Sequence, residues 1–153
     1  MEKRIIEINE TNENCKNICI EKIKKSDENE ILRNLCYIKE NCINLNYVYF
    51  KYFATKENYN CILNYIAKNI DNILLDNDNV VVHINMKNLT IIDIDKHKGF
   101  IQYISLYFQE KYPDKLAKCY IYNSPFVFNQ LYNIICMFID KETQKKIELV
   151  VNK

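Results

Sequence analysis

Glycine and proline are almost missing from this chain of 153 residues, which has one glycine, Gly99, and two prolines, Pro113 and Pro125. A phosphate-cradling loop needs several glycines close together so that backbone N–H groups can approach the anion, and a single glycine cannot build one. Also missing is any apolar run of about 18 residues, so no segment reads as a bilayer span. Neither sign of charge dominates: 21 Lys and Arg against 20 Asp and Glu leave a net charge of +1. That is too little for a global field drawing nucleic acid or an acidic membrane to the whole surface. Any charge-based recognition must be local, and no nucleic-acid partner is expected.

Cysteine is present, but not in a pattern that organises a fold. The seven cysteines are odd in number, and the stretch from Met1 to Ile20 lacks the uninterrupted apolar core of a secretory leader. Cys15/Cys19 and Cys36/Cys42 form no zinc-ligand spacing with either histidine. Cys61, Cys119 and Cys136 sit among Ile, Leu and Tyr, as buried thiols do. Free thiols in a reducing compartment follow. The expectation is a cytoplasmic protein, peripheral at membranes at most, without metal or cofactor.

The length suits one domain with its own core. Cys15, Ile18, Cys19 and Ile23 recur at helical spacing within Asn12 to Lys25, and Ile31, Leu32, Leu35 and Ile38 do so after the break at Ser26, Asp27 and Asn29. The aromatic and β-branched stretch Asn46 to Ala54 predicts a strand, with Thr55 as N-cap of the helix that follows. On that helix Ile62, Leu63, Ile66, Ala67, Ile70, Ile73 and Leu74 form one stripe. The run Val80 to Met86 is apolar at nearly every position, as a central strand covered on both faces is. A helix from about Lys98 to Lys111, bounded by Pro113, leads to a strand Lys118 to Asn123; a last strand is Ile147 to Val151. Alternating strands and helices imply an α/β fold, with a mostly parallel β-sheet of about four to five strands, crossover helices and short N-terminal helices before it. Residues 1–45 are expected to form a helical extension and residues 46–153 the α/β domain.

His83 lies in an apolar strand and reads as a satisfied core histidine; His97 falls in the polar turn Asp95 to Gly99. Neither is accompanied by a serine or cysteine nucleophile in a recognisable elbow, so no hydrolase triad and no enzymatic activity are expected.

The segment Pro125 to Ile139 is apolar around most of a helix circumference, with a narrow polar strip at Asn129, Gln130 and Asn133. Such a helix cannot face water on any broad side. From the residues alone it is a buried helix, for which a core position covered on both sides is the plain reading. Its surroundings carry more. Tyr112-Pro113-Asp114-Lys115 closes a helix, a strand follows, and Asn123-Ser124-Pro125-Phe126 turns into the apolar helix. Upstream lies His83-Ile84-Asn85-Met86-Lys87-Asn88-Leu89-Thr90, and downstream Phe138-Ile139-Asp140, Thr143 and Lys146-Ile147. Together, over about Asn79 to Val150, these pieces resemble the CRAL-TRIO lipid-binding domain family, shortened at both ends. Asn85 and Asn88 stand where the family has Asp and Gly, and Asn tolerates the left-handed turn that glycine would otherwise supply.

The resemblance implies a hydrophobic pocket gated by the helix 126–139, with Phe126, Phe128, Leu131, Tyr132, Ile135 and Phe138 as pocket and gate residues. It implies binding, and intermembrane transfer, of a small lipophilic molecule, with a phospholipid such as a phosphoinositide as the expected ligand and a membrane surface as transient partner. Lys146 and Asp114 fall at the family's head-group lysine and its accompanying glutamate. A lysine serves a phosphate as a compact charge, and a carboxylate accepts from inositol hydroxyls. The alternative is a scaffold similar to the family's BCH-type relatives, which Val82-His83-Ile84-Asn85 also resembles. It would have lost lipid binding and would act through protein contacts, as a homodimer or with a protein of a small-GTPase pathway.

Overall fold

The computed structural model describes residues 4–8, 23 and 27–152. The helix expected over Asn12 to Lys25 lies outside the described residues, except for Ile23, which is buried. Strand β1 (Arg4–Ile8) is followed by helix α1 (Glu28–Leu35), whose first turn is capped by the Asp27 carboxylate accepting from the Glu30 N–H at 2.8 Å. Helix α1 buries Ile31, Leu32 and Leu35, but the chain then leaves the helix: Ile38 lies exposed in β2 (Cys36–Lys39). Strand β3 (Cys42–Asn46) returns antiparallel through Glu40 and Asn41, both at positive φ (53° and 64°), the backbone a tight two-residue hairpin requires.

The expected strand over Asn46 to Ala54 is instead helix α2 (Tyr47–Phe53). The strand sits just upstream, in β3. Aromatic residues do favour strands locally, but here Tyr47 and Phe50, three apart on a helix, turn inward together, and that packing overrides the preference. Helix α3 (Tyr59–Leu74) buries the expected stripe from Ile62 to Ile73. Its N-cap is Asn58 rather than Thr55; the Asn58 carboxamide accepts from the Thr55 N–H at 2.8 Å and donates to Phe53 O at 3.0 Å.

Strand β4 (Val80–Asn85) is followed by two short-linked helices, α4 (Ile91–Lys96) and α5 (Lys98–Lys111), then β5 (Leu116–Tyr122). Asn88 adopts φ 72°, so asparagine does hold the glycine-free turn. Helix α6 (Phe128–Cys136), helix α7 (Lys141–Gln144) and β6 (Ile147–Asn152) complete the chain.

Among the described residues the sheet has six strands in the order β1-β6-β5-β4-β3-β2, parallel throughout except for the β2–β3 hairpin. The mostly parallel α/β class is as expected, with more strands than the sequence announced. The boundary expected at residue 46 falls inside the sheet, because β1, β2 and most of β3 precede it. Two apolar clusters cover one sheet face. One gathers Leu32, Leu35, Ile43, Ile62, Ile66 and Val80; the other gathers Met86, Leu89, Ile94, Ile121, Phe128 and Leu131. Val82 and Leu116 touch both clusters and are only half-buried, although β4 and β5 are central strands. Side chains do not fill the space between.

Candidate functional site

Between the two clusters lies a cavity of about 370 Å³. Its floor is the sheet face, with Ile43 and Leu45 of β3, Val82 and Ile84 of β4, Cys119 and Ile121 of β5 and Ile147 of β6. Residues that alternate along each strand thus point into one hollow. Helix α5 supplies Phe100, Ile101, Ile104 and Phe108 to one wall, α3 supplies Ile62 and Ile66, and α6 supplies Phe128, Leu131, Tyr132 and Ile135. Accessible surface left on Val82 and Ile84 is surface of this hollow. The expectation that β4 is covered on both faces is therefore corrected.

Several polar residues of the lining are already engaged by the protein. The Ser105 hydroxyl donates to Ile101 O on its own helix at 2.7 Å. The Tyr112 hydroxyl donates to Asp71 Oδ1 at 2.7 Å, and burial together with that carboxylate pushes the phenol up to about 12. The Gln109 carboxamide donates to Asp140 Oδ2 and accepts from the Asp140 N–H, both at 3.0 Å. Burial raises the Cys119 thiol to about 12, which keeps it neutral and inert. One charged residue belongs to the lining, Lys115, at the amino end of β5. Asn46 Oδ1 and the Tyr47 hydroxyl, also of the lining, are buried without a hydrogen-bond partner, but the lining is otherwise almost wholly apolar and suited to holding apolar matter.

Of the six gate residues expected from the sequence, Phe128, Leu131 and Tyr132 are buried, and with Ile135 they line the cavity. Phe126 and Phe138 do not. Phe126 sits in the turn before α6 and is 91 % exposed. At the other end, Met137 N–H donates to Ile134 O and Phe138 N–H to Ile135 O, three-residue bonds that tighten the backbone and carry Phe138 off the inward stripe. Helix α6 is accordingly shorter at both ends than the apolar run that predicts it.

Asp114 and Lys146 come to the same edge of the sheet, in the turns that enter the neighbouring strands β5 and β6. Asp114 is exposed, at φ 59°. Lys146 is half-buried, its carbonyl accepting from the Cys119 N–H at 2.8 Å. No hydrogen bond or ion pair joins the two side chains. The carboxylate that feels Lys146 is Asp140, held low first by the Thr143 backbone N–H and side chain, then by Gln109 and Lys146. Lys115 and Thr143, both of the cavity lining, flank this edge.

Two clusters escape a sequence reading. Glu148, 1 % exposed on β6, is paired with Lys118 of β5 at 2.8 Å; its only signal is a charge inside the apolar run Ile147 to Val151. His97 is not in a polar surface turn: it is 2 % exposed, at the junction of α4 and α5. Its Nδ1 shares a hydrogen bond with the Tyr59 hydroxyl, and its ring meets that of Phe50 edge-on at 4.9 Å. Phe100 stacks on Tyr59 at 4.3 Å and on Phe50 at 5.7 Å. His83 is half-buried and satisfied, its Nδ1 sharing a hydrogen bond of 2.7 Å with the Tyr122 hydroxyl.

The fold and its hollow define a parallel α/β domain with an apolar pocket walled by helices on one sheet face. The model of the CRAL/TRIO domain matches residues 13–153, and the chain belongs to that family. It is 32 % identical over 66 residues to the Sec14 cytosolic factor of Schizosaccharomyces pombe, a match covering 43 % of this chain and 23 % of that protein. It is 29 % identical over 66 residues to the SEC14 cytosolic factor of Yarrowia lipolytica, covering 43 % and 13 %. The match thus spans less than a quarter of either relative. Among solved structures, that of Sfh5 superimposes with a TM-score of 0.66 at 22 % identity, over 82 % of this chain and 50 % of the other, a likeness of fold. No helix among the described residues is long and apolar enough to cross a membrane.

Proposed function

We propose that this chain binds one lipophilic molecule in the cavity under α6, and that it is a carrier rather than an enzyme. The observation that carries this reading is the 370 Å³ of apolar space on the central strands, where a domain of this size normally has packed core. Apolar surface moved from water into that space gains about 25 cal/mol per Å². Membership of the CRAL/TRIO family agrees with this reading.

The hollow is part open and α6 forms one of its walls, so outward movement of α6 would widen the way in. Opening would expose Leu131 and Ile135, and a membrane surface would offset that cost. Phe126, 91 % exposed, and Met137, 73 % exposed, flank α6 on either side and give it apolar ends for such contact. This supports a protein that works in the cytoplasm and touches membranes transiently. The finer reading is a phospholipid such as a phosphoinositide, its phosphate at Lys146 and its inositol hydroxyls at Asp114. What supports it is that both residues border the edge where Lys115 enters the lining.

Native mass spectrometry after incubation with phosphatidylcholine vesicles containing phosphatidylinositol tests both levels. One bound lipid per chain is expected, with Lys146→Ala losing phosphatidylinositol but not phosphatidylcholine. Persistent absence of any bound lipid sinks the carrier reading and leaves the scaffold; an unchanged lipid profile in Lys146→Ala sinks the head-group site alone.

A further inference from the structure

We propose that His97 is an acid-sensitive latch on the cavity wall: as a neutral ring it locks the α4–α5 junction onto α2 and α3, and on protonation it releases α5. This rests on the carrier reading for its purpose but not for its geometry. His97 occupies the one residue between two helices, closing α4 through its N–H to Asp93 O at 3.0 Å and opening α5 through its carbonyl to the Ile101 N–H at 2.9 Å. A backbone hinge is therefore held by a side chain. That side chain is almost wholly enclosed by rings from other helices, Phe50 of α2 and Tyr59 of α3, while Phe100 one turn along α5 completes the stack. Phe50 and Phe100 line the cavity, so the imidazole and the hollow share a wall.

The groups around the ring keep it neutral. Burial comes first and Lys96 of α4 second; both hold the imidazole below its ordinary value, against the opposing pull of Asp93. From α2, Lys51 lies 3.4 Å from Asp93 and takes up part of that carboxylate. The Tyr47 hydroxyl lies on the same carboxylate, near enough to favour its charge though outside hydrogen-bond geometry. From α3 comes only the Tyr59 phenol, which burial keeps protonated. An imidazolium here would carry two N–H donors into a ring cluster with one hydroxyl to accept them. For a histidine depressed on folding, the closed wall is fully supported above the unfolded value of about 6.5 and loses support as pH falls below it.

The chain has two histidines, so the test is clean. Affinity for diphenylhexatriene, a neutral apolar probe with no titrating group, is measured from pH 7.5 to 4.5 on the full chain, beside the near-ultraviolet circular dichroism of its tyrosines. Wild type should lose affinity, by at most about tenfold per pH unit for one proton, with a parallel change in the tyrosine signal. His97→Gln should be flat in both, and His83→Gln should behave as wild type. A pH-independent tyrosine signal in wild type, or a His97→Gln chain that still responds, overturns the latch. A probe that never binds, with the tyrosine transition intact and lost in His97→Gln, sinks the carrier reading and supports the latch.

Discussion

Substituting Ile104 by phenylalanine separates a hollow protein from a packed one by the sign of the stability change. Ile104 lies midway along α5 and faces the cavity. An apolar hollow costs about 24 cal/mol per Å³ when nothing fills it, so 370 Å³ left empty would cost about 9 kcal/mol. That equals the whole stability of an ordinary domain, about 5–15 kcal/mol. The ligand-free chain must therefore be weakly stable, partly collapsed or wet. Phenylalanine adds three carbons into that space, and at about 0.8 kcal/mol per buried CH₂ the gain is about 2 kcal/mol. For a chain of this length this raises the melting temperature by about 4–8 °C. The assay is thermal unfolding of delipidated wild type and Ile104→Phe by circular dichroism, followed by uptake of diphenylhexatriene. Higher stability with weaker uptake is expected. In a filled core the same change would overpack and cost about 1–3 kcal/mol; a melting temperature lowered to that extent refutes the cavity.

Two further outcomes follow from local chemistry. Thr90 and Asp93 form a capping box on α4, with the Asp93 N–H donating to Thr90 Oγ1 at 3.2 Å and the Thr90 N–H to Asp93 Oδ2 at 3.1 Å; Thr90→Ala should cost about 1 kcal/mol in urea unfolding. Lys118→Met removes a cation from the buried Glu148 carboxylate. Solvent at Lys118, 38 % exposed, moderates the loss to about 1–3 kcal/mol. A loss under 0.5 kcal/mol, measured the same way, would show that the pair adds nothing.

The stripe of α3 is legible because it obeys a single period over many residues, whereas α6 is apolar around most of its circumference and its inward face has no period of its own. Where two periods fit, the sequence misleads. Tyr47 to Phe53 is aromatic or apolar at nearly every position, so neither a two-residue nor a three-and-a-half-residue repeat stands out, and only packing on Tyr59 and Phe100 makes it a helix. The β2–β3 hairpin hid for another reason: Glu40 is an unusual residue for a left-handed turn position, and Ile38 continued the helical spacing of Ile31 and Leu35. The resemblance puts Phe126 in the gate at the head of the apolar run, yet the helix starts only at Phe128 and leaves Phe126 in solvent. The ring cluster of His97 joins residues 38 and 47 positions apart, a closeness no local pattern encodes.

Among the described residues the left-handed ones are Glu40, Asn41, Asn88, Asp114 and Asn123, and none is a glycine. Each carries a Cβ into a region that costs an L-residue roughly 1–2 kcal/mol in the worst case, less for Asn and Asp. The same Cβ narrows what the chain can do when it is not folded. As a polymer, this protein starts from a less disordered coil than a glycine-rich chain of its length and so has less disorder to surrender at each bend. Native strain and coil stiffness offset one another at these bends.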